Sequence, residues 1–100
     1  MPIDVEWQKE DGTILARYLG PPVAADLIGS TAVGSVCLRF IDPYGDTLFN
    51  QIQIPVLIRE LRALQAYTTD LPQLTALREL EHFLQQAQGK VHTYIRFLGD

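Results

Sequence analysis

The sequence has 100 residues, of which 47% are hydrophobic and 20% are charged, and its formal net charge is −4. This length suits a single domain, and the composition excludes intrinsic disorder, which requires low hydrophobicity together with high net charge. The negative charge disfavours nucleic acid and anionic membranes as partners, because both attract basic surfaces.

The N-terminus and the lack of a long apolar run together predict a cytoplasmic protein. The first residues include Asp4 and Glu6 and no basic residue, whereas a secretory signal peptide needs a basic region followed by an apolar one. No apolar run approaches the roughly 20 residues that a membrane-spanning helix needs. Cys37 is the single cysteine, which excludes an intrachain disulfide and a cysteine-rich zinc site.

The chain begins with a pattern that predicts a β-hairpin. Apolar and polar residues alternate over 3–8, which is typical of a half-buried strand whose outer side is acidic. A turn leads to a second strand over 13–19, which ends at Gly20-Pro21-Pro22 because proline cannot donate to a strand ladder. Residues 23–33 support no definite prediction, and within them the stretch starting at Gly29 indicates a flexible connection.

Residues 35–41 predict a strand inside the sheet, because apolar side chains occur on both of its faces. Asp42-Pro43-Tyr44-Gly45-Asp46 follows, and the positions of its aspartate, proline and glycine fit a type I turn that closes a hairpin. Residues 47–51 are the expected returning strand.

Two amphipathic helices are predicted in the second half of the chain. In the first, which begins at Pro55, leucine and isoleucine recur at helical spacing up to Leu64. The second helix follows Asp70, a favourable N-cap, and ends at Gly89, a residue that favours helix termination. Each helix has one apolar stripe, and so each must pack against a sheet or against its neighbour.

A final strand over 91–98 completes the order β-β-loop-β-β-α-α-β. This order predicts an α+β fold in which a mostly antiparallel sheet of about five strands carries both helices on one face. The order of the strands within the sheet does not follow from the sequence.

Two stretches of the chain, FIDPYGDTLFN over 40–50 and HTYIRFLGD over 92–100, resemble small bacterial proteins that share the pattern F-x-D-P-Y-G-D-T-x-F-N. The resemblance implies a bacterial protein of one domain. These relatives have no known activity, so the resemblance assigns no functional residue.

The candidate catalytic and metal-binding patterns are all incomplete. Residues 29–34 have the glycine spacing of a phosphate-binding loop, but Ser35 stands where the loop requires lysine. Glu79 and His82 share one helix face, yet a di-iron site needs a second such pair. Cys37 lies among apolar residues, where a buried and unreactive thiol is the usual outcome. The sequence therefore predicts no catalytic residue, no metal site and no cofactor.

Two surface features are candidates for binding another protein: the acidic hairpin and the turn that carries a tyrosine. The candidate residues are Asp4, Glu6, Glu10 and Asp11 in the hairpin, and Asp42, Tyr44 and Asp46 in the turn. Both features also have a structural interpretation, because acids on an edge strand prevent pairing between chains and turn aspartates bond their own amides. Arg96 is a candidate ion-pair partner for one of the turn aspartates.

These features favour a non-catalytic protein-binding domain, either an adaptor or an immunity- or antitoxin-like inhibitor, whose acidic face meets a basic protein. One alternative is a structural or regulatory homo-oligomer, in which a second copy covers a sheet face that the helices leave bare. Another alternative is a small-ligand binder or minimal enzyme that uses His92, Tyr94 and Arg96.

Overall fold

The computed structural model describes residues 2–24 and 35–99. Their elements, in chain order, are β1 (Pro2–Lys9), β2 (Ile14–Arg17), β3 (Val23–Ala24), a 3-10 turn (Leu38–Phe40), β4 (Asp46–Asn50), α1 (Ile54–Ala66), α2 (Leu71–Gln85) and β5 (Thr93–Leu98). All strand pairs are antiparallel, which confirms the predicted α+β fold. The predicted connection that starts at Gly29 lies outside the described residues.

The first and last strands form the centre of the sheet. Its order is β2-β1-β5-β4, and the short β3 pairs with the start of β1. In the central pair Val5 lies opposite Phe97, and in the next pair Ile95 lies opposite Phe49. The sheet order therefore depends on contacts between the two ends of the chain, which local periodicity does not reveal.

One face of the sheet and both helices share a single hydrophobic core. Its buried members include Val5, Phe49, Ile95 and Phe97 from the sheet, and Leu57, Leu61, Leu77, Leu80 and Leu84 from the helices. Phe49 and Phe97 meet edge to face, with ring centroids 5.7 Å apart. Burial of one such side chain stabilises the fold by about 1.5–3 kcal/mol relative to leaving it exposed. Both helices thus lie on one side of the sheet, as predicted.

The predicted strand over 35–41 is wrong, because a helix side chain takes the amide groups that a strand would need. The carboxylate of Glu60 in α1 accepts hydrogen bonds from the backbone N–H groups of Val36, Cys37 and Leu38, at 2.6, 3.1 and 3.0 Å. The 3-10 turn follows, and it buries Cys37 and Leu38 while Val36 stays exposed. The apolar residues of this segment mark a packed turn and not an internal strand.

Two hairpin expectations also differ from the structure. The turn over 42–46 is present, but it joins the 3-10 turn to β4 and closes no hairpin, since β4 pairs with β5. The predicted strand over 13–19 is shorter than expected, and the chain pairs with β1 a second time at β3.

Both predicted helices are confirmed, with differences at their ends. Asp70 caps α2, because its Oδ2 accepts the N–H of Gln73 at 3.0 Å. α2 ends at Gln85, before the predicted Gly89, which has a φ of +77° and lies in the turn that follows the helix. Within the described ranges, each helix is too short or too polar to cross a membrane.

Candidate functional site

The face of the sheet that points away from the helices carries charged, polar and apolar side chains. On β1, β4 and β5 these residues alternate with those that face the core, whereas a bulge interrupts the alternation on β2. We call this surface the outer face; its residues are Asp4, Glu6 and Gln8 of β1, Ile14 and Arg17 of β2, Asp46, Leu48 and Asn50 of β4, and Tyr94, Arg96 and Leu98 of β5. Leu48 and Ile14 are 52% and 39% exposed there, so the outer face presents apolar area to solvent.

Four residues form a row across the middle of the outer face, and the charges at its first three positions alternate in sign. The row runs Arg17, Glu6, Arg96, Leu48, because these residues lie directly opposite one another in the strand register. Arg17 Nε donates to Glu6 Oε2 at 3.2 Å, and Gln8 Nε2 donates to Glu6 Oε1 at 2.7 Å. Two neighbours therefore hold the Glu6 side chain, which is only 13% exposed.

Arg96 reaches towards the edge strand and pairs with Asp46. Its Nε donates to Asp46 Oδ2 at 3.0 Å, and its Nη2 donates to the same oxygen. The hydrogen bond that Arg96 donates to Asp46 raises the pKa of the Arg96 guanidinium above its usual value. The expected ion pair between Arg96 and an aspartate of the turn is thus present.

The turn before β4 is fixed by its own hydrogen bonds and by the C-terminal chain. Asp42 Oδ1 accepts the N–H of Tyr44 at 2.9 Å, and the N–H of Asp42 donates to Thr47 Oγ1 at 3.0 Å. The N–H of Gly99 donates to the carbonyl of Gly45 at 2.7 Å. A Cβ at position 99 would lie 2.6 Å from the Asp42 carbonyl oxygen, so glycine is needed for this approach. Asp42 serves the turn itself, whereas Tyr44 is 79% exposed.

The structure brings some of the predicted partner-binding residues together and separates others. Five of them lie on the outer face or in the turn at its β4 edge: Asp4, Glu6, Asp46, Asp42 and Tyr44. The other two lie beyond the far end of β1. There Asp11 Oδ1 accepts the N–H of Thr13 at 2.9 Å, which lowers the pKa of Asp11, and Glu10 Oε2 lies 3.2 Å from His92 Nδ1. The acids of the hairpin therefore form two separate groups and not one surface.

Sequence reasoning missed the contributions of Arg17 and Leu48 to this surface. The alternation over 91–98 correctly places Tyr94, Arg96 and Leu98 on one face of their strand. The missing information was the strand order, because only the insertion of β5 between β1 and β4 aligns the row of charges. No local signal in the sequence reports that insertion.

The candidate reactive groups elsewhere are buried or far from completing a site. Burial, together with the nearby Glu60 carboxylate, raises the pKa of the Cys37 thiol and so disfavours the reactive thiolate. Glu79 and His82 are exposed on α2 and line an open cleft of about 440 Å³ beside Tyr18. In the ranges that the structure describes, no three His, Cys, Asp or Glu side chains are grouped closely enough to hold a metal ion.

A second cleft lies at the end of the sheet where β5 begins. It measures about 390 Å³, and its lining includes Asn50, Ile52, Val91, His92 and Tyr94. His92 has a φ of +60°, a left-handed backbone conformation that is uncommon for residues other than glycine. The predicted strand over 91–98 consequently begins later, at Thr93.

No protein-family model, no curated protein and no solved structure matches this chain. Its function is therefore inferred from the geometry of the described residues.

Proposed function

We propose that this chain is a non-catalytic protein-binding domain and that the outer face is its binding surface. The observation that carries the proposal is the division of the sheet: the helices cover one face, and the other presents ordered ion pairs beside exposed apolar side chains. Leu48 is half exposed at the end of the charged row, and hydrogen bonds hold two other members of the row, Glu6 and Arg96, in place. An ordered surface loses little conformational entropy on binding, which favours association.

The environments of the other polar groups support a binding role over a catalytic one. Burial raises the pKa of Cys37, which makes it a poor nucleophile. A site built from His92, Tyr94 and Arg96 would need these side chains to converge in one pocket. His92 and Tyr94 line the cleft at the start of β5, whereas Arg96 is engaged by Asp46 on the outer face.

The charges of the outer face favour a partner of mixed charge. Three carboxylates, those of Asp4, Glu6 and Asp46, accompany the guanidinium groups of Arg17 and Arg96. A strongly basic partner, as an immunity- or antitoxin-like inhibitor would bind, must compete with those two arginines for the same acids. The immunity- or antitoxin-like function stays a prediction. It requires that reversing the charge of the acids, with the arginines unchanged, weakens binding of the partner protein.

Native co-purification with matched variants tests the proposal. Three tagged proteins are compared: the wild type, Leu48→Lys and Leu71→Lys. Each is expressed together with a second copy that carries a different tag. After gentle capture, the proteins that co-purify are identified by mass spectrometry. Leu71 is the control, because it is 73% exposed but lies at the start of α2. We expect the wild type and Leu71→Lys to retain a stoichiometric companion that Leu48→Lys loses. A companion that all three retain, or its absence from all three, would contradict the proposal.

The cleft at His92 supports a second candidate function, the binding of a small ligand. A strained backbone conformation beside a cleft is a frequent feature of ligand sites, and Ile52 and Val91 expose apolar side chains there. Thermal-shift screening with metabolites and metal ions, on the wild type and on His92→Asn, tests this function. A ligand that stabilises the wild type but not the variant would support it, and a flat response across a broad library would count against it.

A further inference from the structure

We propose that the protein bound by the outer face is a second copy of this chain. The two sheets pack face to face about a twofold axis that runs parallel to the strands, midway between β1 and β5. This inference rests on the proposed function, because it names the partner of the same surface. The arrangement of charges on the outer face carries it, since that arrangement is self-complementary under this symmetry.

The strand order determines which residues face each other across the axis. The sheet order is β2-β1-β5-β4, and a twofold axis between the two central strands reverses that order in the second copy. β1 of one copy then lies over β5 of the other, and β2 lies over β4. Residues at the same level of the register meet, so Glu6 of each copy faces Arg96 of the other. One symmetry operation therefore places opposite charges against each other at two equivalent positions, where they add to the ion pairs within each chain.

The positions that flank this pair also match. Arg17 of one copy lies over Leu48 of the other, and Asp46 is the next residue of β4 on the same face. Arg17 thus lies diagonally across from the carboxylate of Asp46, which is paired with Arg96 of its own chain. Asp4 lies over Leu98, so no acid is placed directly against another acid.

An alternative twofold axis does not satisfy the charges. An axis across the strands, at the level of the charged row, would place Glu6 against Glu6 and Arg96 against Arg96. Like charges in contact oppose association. The axis along the strands is therefore preferred, and because it closes the pair, assembly stops at a dimer.

The size and charge of the interface determine its strength. Four short strands spaced about 4.8 Å apart offer less than the roughly 800 Å² per partner that a standard interface buries. Interfaces of this size are typical of weak, transient association, and we expect a Kd on the order of micromolar. Because ion pairs contribute much of the contact, raising the salt from about 0.05 M to about 0.5 M should weaken the dimer several-fold.

A charge-swap mixing experiment tests the proposed dimer. Glu6→Arg and Arg96→Glu are purified separately and studied by analytical ultracentrifugation over a concentration series. Each variant alone is expected to stay monomeric where the wild type dimerises, because like charges then face each other. An equimolar mixture is expected to form a dimer with one chain of each variant, with a Kd within about tenfold of the wild-type value, because opposite charges meet again at both positions.

Two charge reversals on the helices serve as controls. Arg78 and Glu79 are exposed on α2. The variants Arg78→Glu and Glu79→Arg are therefore expected to leave dimerisation unchanged. Circular dichroism checks that each variant is folded. If an outer-face variant fails to fold, Arg17→Glu mixed with Asp46→Arg replaces the first pair, since that mixture restores the second pair of opposite charges across the interface.

A wild type that stays monomeric at high concentration, or a mixture that stays monomeric, would overturn the dimer. In that case, capture of a different protein by the wild type and its loss in Leu48→Lys would still support the outer face as a binding surface. Failure of both experiments would remove the proposed function as well.

Discussion

Glu60 is the clearest case of one side chain that fixes a segment of backbone. Its two carboxylate oxygens accept the N–H groups of Val36, Cys37 and Leu38, which are consecutive in the chain. Hydrogen bonds to a charged acceptor are stronger than those between neutral groups. The 3-10 turn that begins at Leu38 therefore depends on a residue of α1.

Replacing the Glu60 carboxylate tests this dependence at the scale of one residue. Glu60→Gln removes the charge and one acceptor oxygen, so we expect the free energy of unfolding to fall by about 1–3 kcal/mol. Urea denaturation of the wild type and the variant measures the change. Glu79→Gln, an exposed glutamate of α2, is the control, and equal midpoints for Glu60→Gln and Glu79→Gln would show that Glu60 does not stabilise the turn.

Tyr18 provides a second prediction at this scale, through its pKa. Burial, together with the charge of Glu79, raises the pKa of Tyr18 from 10.0 to about 12. Its hydroxyl donates to the carbonyl of Pro21 at 2.6 Å, and the carbonyl of Ala76 is a second, longer acceptor position at 3.3 Å. Because the folded pKa exceeds the unfolded one, the stability from the neutral phenol is complete below pH 10 and is lost as the pH rises through about 12. An ultraviolet titration of tyrosinate should show a late component that Tyr18→Phe lacks. An unchanged late component in the variant would contradict the assignment.

At the scale of elements, one carboxylate links the two helices because it accepts hydrogen bonds from side chains of both. The carboxylate of Glu81 in α2 accepts hydrogen bonds from two side chains of α1, Arg62 Nε at 2.7 Å and Gln65 Nε2 at 2.8 Å. It also accepts one from Gln85 Nε2 of its own helix, at 3.0 Å. Burial acts to raise the pKa of Glu81, but the hydrogen bonds from these three residues outweigh burial, and the pKa is lowered.

The lowered pKa gives the helix contact a defined pH dependence. The stability from ionised Glu81 is complete above the ordinary value of 4.5 and is lost as the pH falls through the lower folded pKa. We expect Glu81→Gln to reduce the free energy of unfolding by about 1 kcal/mol at neutral pH, and by less as the pH falls below that value. Denaturant unfolding at several pH values measures this difference. A loss that does not depend on pH would mean that the charge of Glu81 is not involved.

At the scale of elements, segments with a strong local pattern were predictable and those held by distant contacts were not. The leucine repeat and the Asp70 cap identified α2, and alternation identified β1. The strand predicted over 35–41 failed because Glu60 lies outside the segment, and β3 was missed because it is only two residues long and depends on β1. Periodicity describes neighbours in sequence, whereas these segments are determined by neighbours in space.

For the whole molecule, β5 is the strand on which the fold depends. It lies between β1 and β4, and its residues alternate between the core and the outer face. Phe97 is fully buried against Phe49, whereas the adjacent Leu98 points to the outer face. The C-terminal strand therefore contributes to both stability and the proposed binding surface.

Adjacent alanine substitutions separate these two contributions. Phe97→Ala should reduce the free energy of unfolding by about 3–5 kcal/mol, because it leaves a cavity in the core. Leu98→Ala should reduce the free energy of unfolding much less, because the Leu98 side chain is only half-buried on the outer face of the monomer. Chemical denaturation of dilute protein measures both values, and equal losses would contradict the division of β5 into a core side and an outer side.

The candidate site was predictable only in part, and the limit was the strand order. The acids Asp4, Glu6 and Asp46 were identified from the sequence, and so was Arg96 as a partner for an aspartate. The row that continues to Arg17 and Leu48 exists because β5, from the other end of the chain, pairs with both β1 and β4, which one sequence does not reveal. Whole-molecule topology therefore turns scattered charges into an ordered surface.

Methyl NMR tests most directly whether the outer face is the binding surface. Spectra of methyl-labelled protein are compared between the dilute free chain and its assembled state, whether the companion found by capture is a second copy or another protein. We expect the methyl signals of Leu48 and Leu98 to shift on assembly and those of Leu71, exposed on α2, to stay unchanged. Shifts at Leu71 and other helix residues, with Leu48 and Leu98 unchanged, would place the binding surface on the helices and contradict the proposal.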